Sequence, residues 1–337
     1  MSAEIEFKSP EDMTKLEAQV AEGVTMIARL KKEMTLAVVG QSSLIDSLLI
    51  GLLSDGHVLV EGVPGLAKTT IIKHLTECVQ AEFQRIQFTP DLLPADVVGT
   101  QIYSQKTGEF TTRKGPVFTN ILLADEINRC PPKVQSALLE AMQEHQVTLG
   151  EATHHLPEPF LVMATENPVE SEGTYPLPEA QVDRFMIKAY IDYPTANEEL
   201  EILEFIANEN AKPVLTPVLT IEDVLHLRSV VKSVYMADRL KRYIVDLVLA
   251  TRKAGDVSEK LEGMVSFGCS PRATIFMSKG AKACAFLKGR AYVTPEDIKE
   301  LAPSILGHRI LTTYEADAED ISSYDIAKEI IETVPVP

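Results

Sequence analysis

The chain has no apolar run long enough to cross a bilayer. Its longest, Leu44 to Leu53, falls short of the ~20 residues a spanning helix needs and carries Asp46 within it. Its start, Met-Ser-Ala-Glu-Ile-Glu-Phe, lacks the basic segment and apolar core of a secretory signal, so a cytoplasmic protein without membrane insertion is expected. Basic residues are in deficit. Thirty-two Lys and Arg against 49 Asp and Glu leave a net charge of −17, which argues against broad electrostatic binding to nucleic acid but leaves room for a local basic patch. Cysteine is scarce too: Cys78, Cys130, Cys269 and Cys284 show no C-x-x-C or other ligand spacing and read as buried free thiols in a reducing compartment. There are no internal repeats or low-complexity tracts. What remains is ordinary globular composition, 45% hydrophobic and 24% charged over 337 residues, long enough for two cored domains.

The most informative stretch is Gly62-Val63-Pro64-Gly65-Leu66-Ala67-Lys68-Thr69, followed by Thr70. An apolar run, His57 to Val60, precedes it and a helical pattern follows, which is the strand, Gly-rich loop, helix order of a phosphate-binding P-loop. Small residues let consecutive backbone N–H groups curl around phosphate oxygens, and the positive end of the helix adds to that field. Lys68 then reaches the β- and γ-phosphates and the Thr69 hydroxyl binds Mg²⁺. Ala67 stands where the general pattern has its second Gly, so in isolation an ordinary Gly-rich turn is the alternative.

A second landmark is Asn120-Ile-Leu-Leu-Ala-Asp125-Glu126, an apolar strand delivering two adjacent carboxylates to its C-terminal edge, where ligands sit in open α/β sheets. In a P-loop NTPase such an Asp125 holds the Mg²⁺ shell, and Glu126 orients and deprotonates the attacking water; the alternative is a capping pair that opens the next helix. Phe160 to Thr165 reads as another buried strand, ending in Glu166-Asn167-Pro168, with Asn167 the side chain expected beside the γ-phosphate.

Around these landmarks the chain alternates helices and strands. A helix capped at Ser9 runs to about residue 32, and a second carries the stripe Leu44, Ile45, Leu48, Leu49, Leu52 and Leu53. Strands are expected over 83–88 and 185–191, and a helix with the stripe Val134, Leu138, Leu139 and Met142 from Pro131-Pro132 to about Glu144. Segment 89–117 is mixed, with a hairpin near Thr107-Gly108, and 146–156 reads as a β-hairpin. Its His154-His155 pair faces opposite ways on a strand and cannot share a metal. This argues for a parallel α/β sheet covered by helices over 1–193. Beyond Asp192-Tyr193-Pro194-Thr195 no strand signal survives, and helical patterns at about 195–209, 221–234, 238–253, 271–287 and 295–302 make 194–337 a small helical domain.

Taken in order, the P-loop, Asp125-Glu126, Asn167-Pro168, Asp183-Arg184-Phe185 and Ser270-Pro271-Arg272 resemble the AAA+ ATPases. More narrowly, Gly62 to Thr69, Asp125-Glu-Ile-Asn-Arg129 and the helix Val134 to Glu144 resemble the MoxR family, over about 25 to 330. In that family Ala before the P-loop Lys is usual. Glu166 is a departure, because relatives commonly carry Gln there. The resemblance implies ATP and Mg²⁺ as cofactors, Val39-Gly40-Gln41 as the segment contacting adenine, Asn167 as sensor 1 and Arg272 as sensor 2, reaching from a helical lid toward the phosphates. Arg272 also lies in the first turn of a helix, where a cation opposes the helix dipole at a cost of about 0.3–1 kcal/mol. A salt bridge to Glu262 is the competing explanation of that placement.

Arg184 resembles the arginine finger donated to a neighbouring subunit, with Arg129 as rival and a local ion pair to Asp183 or Glu179 as the alternative. The family further implies a homo-oligomer, a hexameric ring, in which segment 89–117 is a helix-2 insert and 146–156 a pre-sensor-1 hairpin, both lining the pore. Its members are similar to chaperones acting in assembly or cofactor maturation of client proteins, alongside von Willebrand factor A domain proteins. The competing class is a nucleic-acid motor or loader on the same fold, whose only local support is Arg113-Lys114 at the insert tip and against which the net charge of −17 weighs.

Overall fold

The computed structural model describes residues 10–36, 38–63, 65–66, 68–106, 108–167, 173–207 and 215–337. Ser9, Pro64, Ala67, Thr107, Pro168 and the last two positions of the helix expected over 195–209 lie outside them. The chain forms two compact units. One comprises Arg29–Phe185 with Ala189–Leu225; the other comprises residues up to Ala28, Met186–Lys188 and His226–Pro337.

The first unit carries β1 (Val58–Gly62), β2 (Phe83–Gln87), β3 (Gly99–Ser104), β4 (Glu109–Lys114), β5 (Ile121–Asp125), β6 (Gln146–Leu149), β7 (Ala152–His155) and β8 (Leu161–Glu166), and β9 (Ile187–Ile191) completes its sheet. The sheet order is β2-β5-β8-β1-β9, with β2–β5, β5–β8 and β1–β8 all parallel. Val58 to Val60, Ile121 to Ala124 and Leu161 to Ala164 are wholly buried, as expected of strands covered on both faces. Polar character enters only at their C-terminal ends, at Glu61, Asp125 and Thr165-Glu166. The apolar runs of β5 and β8 therefore end by presenting polar side chains, Asp125 and Thr165, at the same edge of the sheet. The helix Pro132–Glu144 buries Val134, Leu138, Leu139 and Met142 in the same core as Leu59, Leu122, Val162 and Phe160. His57 fastens this layer: its Nδ1 accepts from the Val162 amide at 3.1 Å, which leaves the proton on Nε2 to donate to the Met142 carbonyl at 3.1 Å.

Segment 89–117 contains a short helix, Pro94–Val98, and the β3–β4 hairpin. The hairpin is pinched at its base, where a Cβ on Gly115 would lie 2.3 Å from the Val97 carbonyl and one on Gly99 2.3 Å from the Arg113 carbonyl. Arg113 and Lys114 pair with Thr100 and Gly99, at that base and not at the tip where the sequence reading puts them. The antiparallel strand register, running from Ser104↔Glu109 back to Gly99↔Lys114, fixes the correction. The second hairpin, β6–β7, touches the first through Gln101, whose Nε2 donates to the Leu149 carbonyl at 3.2 Å.

The second unit is built on helices Asp238–Arg252, Pro271–Leu287, Pro295–Leu306 and Ser323–Thr333. Two expectations are corrected here. The helix expected to stop at 302, before Pro303, continues to Leu306, because burial of Ile305 and Leu306 outweighs the hydrogen bond that proline removes. This unit also contains strands, β10 (Val265–Phe267) antiparallel to β11 (Leu311–Thr312), too short to leave a period-two pattern. Its polar centre is Asp297, fully buried. The carboxylate accepts from Arg290 Nη1 at 2.7 Å and the Thr294 amide at 2.8 Å, and Lys288 lies 3.3 Å away.

All four cysteines are free and buried, and burial pushes the Cys78 and Cys130 thiols up to about 12. Among the described residues no helix is long and apolar enough to cross a membrane, and no cluster of three or more His, Cys, Asp or Glu could hold a metal.

Candidate active site

Lys68 opens the helix Lys68–Cys78, so Lys68, Thr69 and Thr70 occupy its first turn, where amide groups lack intrahelical partners and favour an anion. These three residues, with Gly65 and Leu66, form one wall of a cleft of about 340 Å³. The other wall is Asp125, Glu126, Thr165 and Asn167. The site thus assembles from the loop after β1 and the C-terminal ends of β5 and β8, which are neighbours in the sheet. Gly62 ends β1 against Ile191, where a Cβ would lie 3.0 Å from that residue, and Val63 follows it. Pro64 and Ala67 fall outside the described residues.

Lys68 Nζ donates to the Gly62 carbonyl at 2.6 Å. Burial lowers its pKa, opposed by the charges of Asp125, Glu126 and Glu61 across the cleft. Asp125 Oδ1 accepts from the Thr165 hydroxyl at 2.7 Å, and that hydroxyl accepts from the Glu126 amide at 2.8 Å. Glu126 itself has φ of 57°, a left-handed conformation that a non-glycine residue adopts at a cost. Such strain gathers at functional sites, and here the turn brings the two adjacent acids to the same cleft. Asn167, just past β8, is buried. Thr165 went unnoticed in the sequence because a Thr ending an apolar strand reads as one more strand former.

Glu166 sits across from Glu61 in the β1–β8 register, apart from the described residues that line the cleft. Val39, Gly40 and Gln41 precede the helix Ser42–Ser54. Gly40 and Gln41 have φ of 70° and 56°, and Gln41 Nε2 donates to the Asp192 carbonyl at 3.4 Å. That contact puts the segment beside the end of β9, next to the residue that packs on Gly62.

Arg184 lies elsewhere. Its Nε donates to Gln143 Oε1 at 3.1 Å and Nη1 to the Ala180 carbonyl at 2.8 Å, in a groove of about 690 Å³ formed by the helix Pro132–Glu144 and residues Pro178, Ala180 and Gln181. This groove is larger than the phosphate-type cleft but brings no acid pair to a lysine. Arg129 instead sits on Glu126, its Nη1 3.2 Å from Oε2. Arg272 belongs to the second unit, in the first turn of Pro271–Leu287, its amide donating to the Ser270 hydroxyl at 3.2 Å.

A parallel sheet with a lysine-bearing loop, an acid pair on the adjoining strand and a polar residue at the next strand end defines a P-loop ATPase of the AAA class, here with a separate helical unit. The family model described as "ATPase family associated with various cellular activities (AAA)" matches residues 57–187, and the one described as "AAA lid domain" matches 260–330. The chain is 45% identical to "Chaperone MoxR1" of Mycobacterium tuberculosis, covering 94% of this chain and 84% of that protein. It is 46% identical to "Uncharacterized protein YeaC" of Bacillus subtilis, covering 93% and 95%. A solved structure from Cytophaga hutchinsonii superposes with a TM-score of 0.90 at 47% identity, covering 97% of this chain and 99% of that one. The chain belongs to the MoxR family of AAA+ ATPases.

Proposed function

We propose that the protein is a Mg²⁺-dependent ATPase that works as a ring, a hexamer, to remodel client proteins during their assembly or cofactor maturation in the cytoplasm, together with a von Willebrand factor A domain partner. The observation that carries this reading is the separation of parts within the first unit. Lys68, Thr69, Asp125, Glu126 and Asn167 line one cleft, while Arg184 lies in another groove.

Oxygen donors, the Asp125 carboxylate and the Thr69 hydroxyl, with no His or Cys among the described lining residues, make a set that suits a hard oxygen-seeking cation whose remaining ligands are phosphate and water. Thr69 and Asp125 would hold Mg²⁺, which when bound neutralises phosphate charge. Lys68 and the first-turn amides bind the phosphate oxygens, and Val39 to Gln41 receive the base. Glu126 takes a proton from the attacking water and Asn167 orients that water. Arg184 enters the cleft of the next copy and stabilises charge that develops on the γ-phosphate, an effect worth about 10³–10⁵ in rate for fingers supplied in trans. Arg272 closes over the phosphates from the helical unit. The β3–β4 and β6–β7 hairpins engage the client, and the exposed Tyr103–Phe110 pair, 5.2 Å between rings, offers an apolar grip.

The test is complementation. Lys68→Ala should lose ATP binding and Arg184→Ala should bind ATP but hydrolyse it slowly. A mixture of the two should recover part of the activity, since each supplies what the other lacks. Full-rate hydrolysis by a strict monomer, or no recovery on mixing, would overturn the trans site.

A further inference from the structure

The acid pair at the cleft is held by side chains from outside the P-loop, and one of them is a cation placed on the oxygen a metal would want. Arg85, in the middle of the edge strand β2, directs Nε and Nη2 to Asp125 Oδ2 at 3.1 and 2.6 Å. Gln87 lies two residues on, on the same face of β2. It donates to Glu126 Oε2 at 2.9 Å and accepts from Arg85 Nη2 at 2.9 Å. The strand thus presents one donor to each acid. Thr165 occupies Asp125 Oδ1.

A carboxylate offers about four lone-pair sites, and three donor hydrogens already point at those of Asp125. A cation that ligates this carboxylate through Oδ2 must therefore displace the guanidinium. The Arg85 side chain is 48% exposed, on the outermost strand, so solvent is available to the displaced head of a long flexible stem. Charge points the same way. Asp125 already faces Lys68, and a guanidinium and a divalent ion cannot share one carboxylate without mutual repulsion.

We propose that Arg85 is a place-holding counter-ion for Asp125, exchanged for the divalent metal when the site loads. It is a positioning residue that sets how much metal the enzyme needs. The inference rests on Asp125 as the metal carboxylate. A purely structural Arg85, or one that stays on Asp125 and props it toward the metal, has the opposite consequence: removing it would leave metal binding unchanged or weaken it.

The experiment uses the full chain and the variants Arg85→Gln, Arg85→Lys and Asp125→Asn. Free Mn²⁺ is followed by electron paramagnetic resonance in the presence of ADP, and the Mg²⁺ half-saturation of ATP hydrolysis is measured separately from kcat. Arg85→Gln should bind Mn²⁺ roughly two- to fivefold more tightly, the ratio equivalent to a part-exposed ion pair, with a parallel fall in Mg²⁺ half-saturation. Arg85→Lys, which keeps the charge but loses the two-pronged contact, should shift less in the same direction. It also stands in if the Gln variant does not fold. Unchanged or weaker Mn²⁺ binding in both, with Asp125→Asn losing it, overturns the exchange alone. Wild-type Mn²⁺ binding by Asp125→Asn overturns the assignment of Asp125 itself.

Discussion

Two acid–base clusters in this chain use the same chemistry for opposite ends. In the cleft, Asp125 and Glu126 meet Arg85 and Arg129, and both arginines are part-exposed, 48% and 40%. In the helical unit Asp297 has no exposure at all and is enclosed by Arg290, Lys288 and the Thr294 amide, closing a capping box at the start of Pro295–Leu306. A part-exposed ion pair is worth little and can be traded. A buried one is costly to break, because the survivor is left charged and unpaired. The difference teaches that placement, not residue type, decides whether a carboxylate is available for a ligand or committed to the fold.

The sharpest way to break this contrast is to truncate the committed acid. Asp297→Ala should cost about 3–5 kcal/mol of unfolding free energy by denaturant titration, since it takes from Arg290 its carboxylate partner and from the Thr294 amide its acceptor; a loss below about 1 kcal/mol would put it in the same class as the cleft pairs. Next in size is a kinetic effect without a stability effect. Glu126→Gln should bind ATP normally but turn over at least ~tenfold more slowly, and an unaltered kcat would remove Glu126 as the base. A third expectation concerns acid. Burial pushes the Asp297 carboxyl up, but the hydrogen bonds from Arg290 and Thr294 and the charges of Arg290 and Lys288 prevail and hold it below the ordinary value. Its stabilising contribution is therefore complete above about pH 4, the ordinary carboxyl pKa, and disappears as pH falls through the lower folded value. The melting temperature should drop over that acid range in the wild type and drop less in Asp297→Asn. Smallest of all, Arg129→Ala should change unfolding free energy by no more than about 1 kcal/mol, because its partner pair is part-exposed.

The cleft was legible in the sequence to the extent that its parts end long apolar runs. The apolar runs of β1, β5 and β8 are unbroken and buried, and the residues that stood out, Lys68, Asp125-Glu126 and Asn167, lie in or just beyond the polar segments that follow those runs. Arg85 and Gln87 were not legible, because β2 alternates. A charged residue on an alternating strand looks like the solvent face, and only the sheet order, with β2 beside β5, turns that face toward the acids. Thr165 was hidden by its own strand propensity. The β10–β11 ladder was hidden by length, since three residues and two carry no period. The end of the helix expected at about 302 fell short in the other direction, because Ile305 and Leu306, beyond Pro303, are held helical by apolar burial that only the packed helices reveal.

The glycines at the root of β3–β4 give the insert a mechanical character. With Gly99 and Gly115 so close that neither tolerates a methyl group, the two strands are drawn together like the neck of a pouch. Below the neck the segment that joins it to β2 is itself anchored, with Phe88 and Val97 buried in the core and the Phe88 amide donating to the Asp125 carbonyl at 2.9 Å. The hairpin above is thereby held at a rigid root, which fixes the direction in which its aromatic pair, Tyr103 and Phe110, is offered to anything that approaches.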